Sequence, residues 1–521
     1  MQTTITNHEP VSDDSRRMAV HVMPGGWRRW AWLALAVVLL LFSNGANSVP
    51  LAAWLSPVFL LRFVRTQRAA VGLPIAYLLL IATFSFQFRG MVPIPGAIYL
   101  IFLAFIGAVS VLPYLVDRGL VHRLNGLAAT LVFPMSWAAV EYLNSLGPYG
   151  SWAAIAYSQY GSLPLLQILS VTGLWGLTFL IGWFASVCNW VWEEGLETKR
   201  VRSGSLLCLG AITLIVLLGG ARMTLFPPSS QTVRVASLSR LKVSNELSDV
   251  VWKNMMHNRL SPEEVRQVRD WGKAVDDNLL ARSEREAQAG ARIVFWGEAN
   301  APVLKEDEAA FIAQGRELAA RYRIYLGMSL AVWNAGQQRP LENKLVLIDP
   351  AGQVAWEYYK ARPVPGSEAA ISVIQDGKLR VSDTTYGRLS SIICFDGDFP
   401  QLLAQAGRLG ADVVLDPSND WQAIDPWHTQ MASFRAIEQG FNLIRHTSHG
   451  LSAAFDYQGR RLAAMDHFSA TDYVMISEIP SKGVRTLYGK LGDWFAWACL
   501  AGLLWLIGQA TRTGRSMDPA A

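Results

Sequence analysis

Between Trp30 and Val116 the chain carries only four charged side chains in 87 residues, Arg62, Arg65, Arg68 and Arg89, with no acidic residue and no lysine. A water-soluble domain cannot build a surface from such a run, which points to a bilayer. A hydrocarbon core of about 30 Å takes about 20 apolar helical residues per crossing, with shorter spans accommodated by thinning and snorkelling. On that measure the sequence predicts eight spans, near 30–43, 50–64, 71–88, 97–116, 126–144, 164–192, 205–225 and 494–511. The stretch 43–50 (SNGANSVP) separates the first two and leaves both short. A signal peptide over residues 1–46 is the competing reading. The apolar sequence continues far beyond the roughly 7–15 residues such a core needs, which argues against it.

The basic residues orient the bundle. With the N-terminus inside, the inner loops hold Arg16, Arg17, Arg28 and Arg29, then Arg62, Arg65 and Arg68, then Arg118 and Arg123, then Lys199, Arg200 and Arg202, and finally Arg512 and Arg515. The short outer loops hold Arg89 alone, as the positive-inside rule requires. Both termini are then expected in the cytoplasm, and the long segment between spans seven and eight outside. The net charge of +5, from 46 basic and 41 acidic residues, is spent on topology and announces no nucleic-acid partner. Cys188, Cys208 and Cys499 fall in apolar spans, and no CxxC pair suggests a zinc ribbon or a disulfide framework.

From about Ser230 to Leu487 the composition returns to that of a soluble domain. Strand-like runs (232–239, 291–298, 324–333, 344–349, 354–360, 389–394, 413–415) alternate with helical patterns near 262–289, 306–321, 400–409 and 427–440. This argues an α/β domain with a covered sheet. The expected division is a cytoplasmic tail (1–29), a bundle of seven helices (30–229), the α/β domain (230–490), and an eighth helix with a cytoplasmic tail (491–521).

Three residues in the α/β part have chemical readings. Glu298 closes an apolar strand, where desolvation would raise its pKa toward that of a general base; a solvated loop glutamate is the plainer reading. Lys360 shares a strand face with Val354, Trp356 and Tyr358, and either snorkels or meets something anionic. Cys394 ends a strand before a helix expected from Pro400, where the helix dipole would favour a thiolate and nearby N–H groups could hold an oxyanion; core filling is its plainer role. His428, His446 and His449 fit no common zinc spacing.

Taken together, Glu298, Lys360 and Cys394, each at a strand end and in that order, resemble the Glu-Lys-Cys triad of the nitrilase (carbon–nitrogen hydrolase) superfamily. The membrane bundle around such a domain resembles the apolipoprotein N-acyltransferase family. Further segments carry this likeness: Pro134–Asn144, Ala156–Gln159, Gly173–Phe179, Tyr359–Glu368, Ser418–Asp420, Arg435–Glu438, Arg445–Gly450 and Leu487–Trp494. The chain departs from the family pattern at Gly297, where a proline is usual, and at Asp396, where a glutamate is usual. It departs also at Gly366–Ser367, at Thr447–Gly450, and in a shortened segment from Glu368 to Cys394.

The resemblance implies a four-layer α-β-β-α sandwich outside the inner membrane and a two-step acyl transfer. Glu298 acts as base, Cys394 as nucleophile and Lys360 as oxyanion stabiliser, with Glu368, Asp396 and Phe395 in support. The donor is a phospholipid such as phosphatidylethanolamine, and the acceptor is the N-terminal amine of a diacylated apolipoprotein. No cofactor or metal is implied, and a monomer is expected. A membrane-tethered amidase or nitrilase, an acyltransferase for another amine, and a non-catalytic scaffold are the alternatives.

Overall fold

The computed structural model describes residues 26–94 and 96–515. The expected tails, 1–29 and the end of 491–521, lie for the most part outside the described residues. The bundle opens with α1 (Arg28–Leu41), α2 (Pro50–Thr66), α3 (Ala69–Gln87), α4 (Gly96–Leu120) and α5 (Leu127–Ser145). It continues with α6 (Leu163–Leu166), α7 (Leu169–Thr172), α8 (Leu174–Glu194) and α9 (Lys199–Leu225). Among the described residues five helical stretches have the length and composition to cross a membrane: α3, Gly96–Arg123, α8, α9 and Trp494–Arg512. Helices α1 and α2 have 14 and 17 residues, about 21 and 26 Å at about 1.5 Å per residue. Helix α5 is long enough but carries Ser136, Glu141 and Asn144. Helix α8 is the central post: 78% of its most apolar window is buried, against 17% for α3 and α9, whose apolar faces are left for lipid.

Two expectations about the bundle are corrected. The span expected over 164–192 is not one helix: α6 and α7 are single turns, and the chain breaks at Gly173, with φ 66°, before α8 begins. A Cβ on Gly173 would lie 2.4 Å from the ring of Tyr488, so the close approach of a distant segment, invisible in local sequence, sets the break. Arg65, assigned to an inner loop, lies within α2 and is buried. Its guanidinium meets both carboxylate oxygens of Asp117 on α4 at 2.8 Å, with Ser186 of α8 at 3.3 Å.

The α/β domain follows from period-two strands buried on both faces. Its first sheet contains β1 (Thr232–Leu238), β2 (Ile293–Trp296), β3 (Ala301–Leu304), β4 (Tyr325–Trp333), β5 (Leu341–Ile348) and β6 (Val354–Tyr359). The second holds β7 (Val381–Thr384), β8 (Gly387–Ser391), β9 (Val413–Asn419), β10 (Asn442–Ser448), β11 (Leu451–Phe455) and β12 (Arg461–Asp466). The chain returns to the first sheet as β13 (Val474–Pro480), giving the order β13-β1-β2-β4-β5-β6 with β3 on β4, beside β12-β11-β10-β9-β8-β7. Strands β1, β2 and β4 run parallel, as do β8, β9 and β10, and both sets end in antiparallel margins.

Alternation then sorts the core. Ile293 and Phe295 join Val235, Leu415 and Ile444 between the sheets. Val294 and Trp296 face Trp271, Leu279 and Phe311 on the outer helices α11 (Pro262–Gln288) and α12 (Glu308–Tyr322), which follow the short α10 (Asp249–Met256). Helices α13 (Pro400–Leu409) and α14 (Trp427–Gln439) cover the second sheet through Leu403, Ala432 and Ala436. The result is the expected four-layer sandwich. After α15 (Leu487–Leu491) the chain re-enters the bundle as α16 (Trp494–Arg515).

Domain and bundle share one buried cluster, in which Phe88, Trp152 and Trp175 pack with Ile424, Trp427 and Phe434. Polar contacts fix the register of this junction. Both the N–H and the hydroxyl of Ser151 donate to the carbonyl of Asp398, at 2.7 and 2.8 Å. Arg435 donates to the Tyr157 hydroxyl at 2.8 Å, and the N–H of Leu174 donates to Glu438 at 2.9 Å, so the α/β domain caps the first turn of α8.

Removing one partner of a desolvated ion pair leaves a buried charge, at a cost of about 3–5 kcal/mol. Asp117→Ala is therefore expected to destabilise the bundle by about that amount, read as a lowered thermal unfolding midpoint in detergent; an unchanged midpoint would contradict the pairing.

Candidate active site

Glu298 stands at the C-terminal end of the parallel strand β2. Its backbone is pinned where the N–H of Gly297 donates to Leu238 O at 2.8 Å and its own N–H reaches Ser418 O at 3.3 Å. Lys360 immediately follows β6, and its N–H continues the ladder to Asn343 O at 2.9 Å. The two side chains meet out of water: Lys360 Nζ donates to Glu298 Oε1 at 2.7 Å, and both residues are buried. Lys360 Nζ also pairs with Glu368 Oε1, a carboxylate held by the N–H of Val364 at 3.1 Å. Asn343 Nδ2 bridges the pair, donating to Glu298 at 2.7 Å and to Glu368 at 3.4 Å.

One ammonium thus serves two carboxylates. Burial pushes Glu298 above the ordinary carboxyl range; Lys360 opposes this and Glu368 reinforces it. Burial opposes the charge on Lys360, but the carboxylates outweigh it and keep the group an ammonium. A buried carboxylate with raised proton affinity beside a fixed cation has the properties of a general base next to an anion-stabilising group.

Cys394 lies past the end of the parallel strand β8, in the left-handed region at φ 52°, at the first position of a 3-10 turn, Cys394–Asp398. That backbone is costly for a residue with a Cβ and is held by its surroundings. Its N–H donates to Asp416 Oδ1 at 2.9 Å, while Asp416 Oδ2 accepts from Arg445 at 2.7 Å. Asp396 ties the turn to the lysine strand: it accepts from Ile393 N at 3.0 Å, Tyr358 OH at 2.8 Å and Arg362 N at 2.8 Å. Burial nevertheless pushes the Asp396 carboxyl up to about 6. Phe395 packs edge-on against Phe399, with ring centres 5.2 Å apart.

Two expectations about this elbow are corrected. The 3-10 turn intervenes between Cys394 and α13, and burial raises the thiol well above its ordinary value, with Glu298 adding to the effect and Lys360 opposing it. Desolvation wins over the helix dipole expected to favour the thiolate. The N–H of Cys394 is already given to Asp416, so it is not a free oxyanion donor.

A second charged network lies behind the thiol. His428 Nδ1 is 2.7 Å from Asp420 and Nε2 3.2 Å from Asp398. Burial and Arg445 pull the imidazole down, but the two aspartates outweigh them and push it up to about 9. Cys394, Asp420 and His428 present possible ligand atoms within 4.8 Å of one another. Both ring nitrogens are engaged by carboxylates and Arg445 adds positive charge, so the set fits a salt network better than a cation. His446 lies in β10 and donates to or accepts from Ser239 at 3.0 Å; His449 follows that strand, 3.0 Å from Asn419.

Above the thiol is a small apolar cleft. Met91, Pro93, Tyr149 and Trp152 of the bundle face Phe395 and Ile424 of the domain across Cys394. Trp421 closes one side, its Nε1 donating to Gly90 O at 2.8 Å. Asn343 and Asp416 were missed in the sequence, and Tyr358 was read only as an apolar member of the Lys360 face, whereas its hydroxyl donates to Asp396. The available signal was a polar residue closing an apolar strand run, as Asp416 does in VVLDPSN; Asn343, between Glu342 and Lys344, carried no such signal.

Residues 18–187 match the family model for the apolipoprotein N-acyltransferase N-terminal domain, and residues 268–488 match the model for carbon-nitrogen hydrolase. The apolipoprotein N-acyltransferase of Geobacter metallireducens is 26% identical over 423 residues, covering 75% of this chain and 76% of that protein. That of Shewanella oneidensis is 25% identical over 459 residues, covering 81% and 82%. The solved structure of an amidase from Nesterenkonia sp. covers 49% of this chain and 92% of its own, with 18% identity and a TM-score of 0.36.

Because burial holds the thiol above the usual range, thiolate at Cys394 is scarce at neutral pH. The rate of iodoacetamide labelling at Cys394, followed by mass spectrometry, is expected to keep climbing with pH past about 10, where an ordinary thiol of pKa about 8.5 is fully ionised and its rate has levelled off. A plateau near or below that pH would contradict the assigned environment.

Proposed function

The chain belongs to the apolipoprotein N-acyltransferase family, and from that membership we propose that it moves an acyl chain from a phospholipid to the N-terminal amine of a diacylglyceryl-cysteine through a thioester on Cys394. Glu298 takes the thiol proton as Sγ attacks the sn-1 ester carbonyl of a donor such as phosphatidylethanolamine. The bond to the glycerol oxygen breaks, that oxygen receives the proton back from Glu298, and a lysophospholipid leaves. The acceptor amine then attacks the thioester, Glu298 takes a proton from the nitrogen, and the thiolate departs to be reprotonated, leaving an amide. Lys360 Nζ balances the oxyanion in both steps. Glu368 and Asn343 hold the ammonium and the base in register, and Asp396 and Phe395 hold the elbow.

The observation that carries this reading is the makeup of the cleft over Cys394. Its walls come partly from the loops of a membrane bundle and are mostly apolar, with Asp398 and His428 the charged members. A lipid ester reaches the thiol from that side, and Phe395, Tyr149 and Trp152 keep water from the thioester, which favours transfer over hydrolysis. The distribution of basic residues among the loops supports an inner-membrane protein with the α/β domain on the periplasmic side and both termini in the cytoplasm.

Intact-mass analysis of the protein after incubation with phospholipid tests the proposal. An acyl adduct is expected that is absent from Cys394→Ala, forms about 10²–10⁴-fold more slowly in Glu298→Gln, and is discharged by a diacylated lipopeptide faster than by water. An adduct released equally fast by water would make the protein a hydrolase; no adduct would overturn the thioester route.

A further inference from the structure

A second and larger cavity, of about 410 Å³, opens on the other side of Glu298. That is the size of a small-ligand site. Its deep wall is apolar, built from Trp252 and Met255 of α10, Trp271 of α11 and Trp333 of β4. Near the glutamate the wall turns polar: Asn300 and Ser448, both buried, hydrogen bond to each other at 3.1 Å. Arg240 and Lys242 also line it, the first stacked over the Trp271 ring at 5.5 Å and paired with Glu246, the second exposed.

The two hollows differ in origin. The cleft over Cys394 is lined partly by bundle loops, whereas among the described residues every one lining this cavity belongs to the α/β domain, between Arg240 and Tyr473. A diacylated acceptor has two unlike parts, lipid chains held in the bilayer and a peptide that leads away from it. Its amine must come to rest against the base. A site that touches Glu298, is lined by the α/β domain among the described residues and offers aromatic walls, buried amide and hydroxyl groups and a basic margin matches the peptide part.

The geometry points to this cavity as the subsite for the acceptor's peptide residues next to the lipidated cysteine, favouring an apolar side chain in the Trp252–Trp271 wall and acidic residues beside Arg240 and Lys242. This rests on the function proposed above. Asn300 and Ser448 lie where they would meet the first peptide groups, and His449, in the block that departs from the family pattern, lines the same cavity. The residues there select among acceptors and leave the donor half-reaction to the other cleft.

The test reads the two half-reactions separately in the full-length protein. Thioester formation from phosphatidylethanolamine is followed by intact mass, and transfer is followed with synthetic diacylglyceryl-cysteinyl peptides that bear either acidic residues or lysines after the cysteine. Trp252→Ala is expected to raise the KM for lipopeptide about tenfold more than it changes the KM for phospholipid. Lys242→Glu, on the surface and no threat to folding, is expected to reverse the preference for acidic over lysine-bearing peptides. If Trp252→Ala acts instead on thioester formation, the cavity holds the donor and the inference falls. An unchanged peptide preference in Lys242→Glu overturns it as well. Absence of any thioester in the unsubstituted protein sinks the proposed function, whereas a normal thioester without peptide selection sinks this inference alone.

Discussion

A single backbone carbonyl, that of Asp398, sets where the Cys394 elbow sits against the membrane bundle. It ends the turn that begins at Cys394, and it accepts both the N–H and the hydroxyl of Ser151 from a bundle loop. The elbow bearing the thiol is therefore bonded to the membrane part and not only carried near it. Arg435 on Tyr157 and Glu438 on the first turn of α8 repeat the connection along α14. With the tryptophan-rich cluster around Trp152 and Trp427, they leave the α/β domain little freedom to rock over the bundle. Under the proposed function, a thiol held against the bundle in this way can be served by a lipid that never leaves its leaflet.

The electrostatics of the site follow from burial. Glu298, Lys360, Cys394, Asp396, Asp416 and Arg445 are all withdrawn from water, a costly arrangement that persists because nearly every charge has a hydrogen-bonded opposite. Lys360 holds two carboxylates, Arg445 bridges Asp416 and Asp420, and His428 lies between Asp398 and Asp420. The same burial raises the proton affinity of both Glu298 and the Cys394 thiol. In the proposed mechanism the thiol stays protonated until an electrophile arrives, and Glu298 receives its proton.

Much of this was legible in the linear chain, and the gaps have physical causes. The charge-poor run from Trp30 to Val116 dictates a membrane part, and the alternation of strand and helix beyond Ser230 dictates the sandwich. Glu298, Lys360 and Cys394 each follow a strand, so their convergence at one end of the sheets could be anticipated. Long-range pairings could not. Arg65 reads as a loop cation until Asp117, in another helix, is brought to it. Gly173 interrupts a seamless apolar stretch only because Tyr488 passes within reach. Strand β10, NLIRHTS, escapes a hydrophobicity reading because its polar residues are buried in partnerships with other segments. The helix-dipole argument for Cys394 weighed one favourable local term and lacked the burial that outweighs it.

The central claim is that the acyl chain reaches Cys394 through the cleft shared with the bundle. Photocrosslinking of the thioester intermediate, loaded from a phospholipid whose sn-1 chain carries a diazirine, measures this directly. Adducts at Met91, Pro93, Tyr149 or Trp152 are the predicted result. Adducts confined to Trp252, Met255 and Trp271 would contradict it and place the lipid on the other side of Glu298.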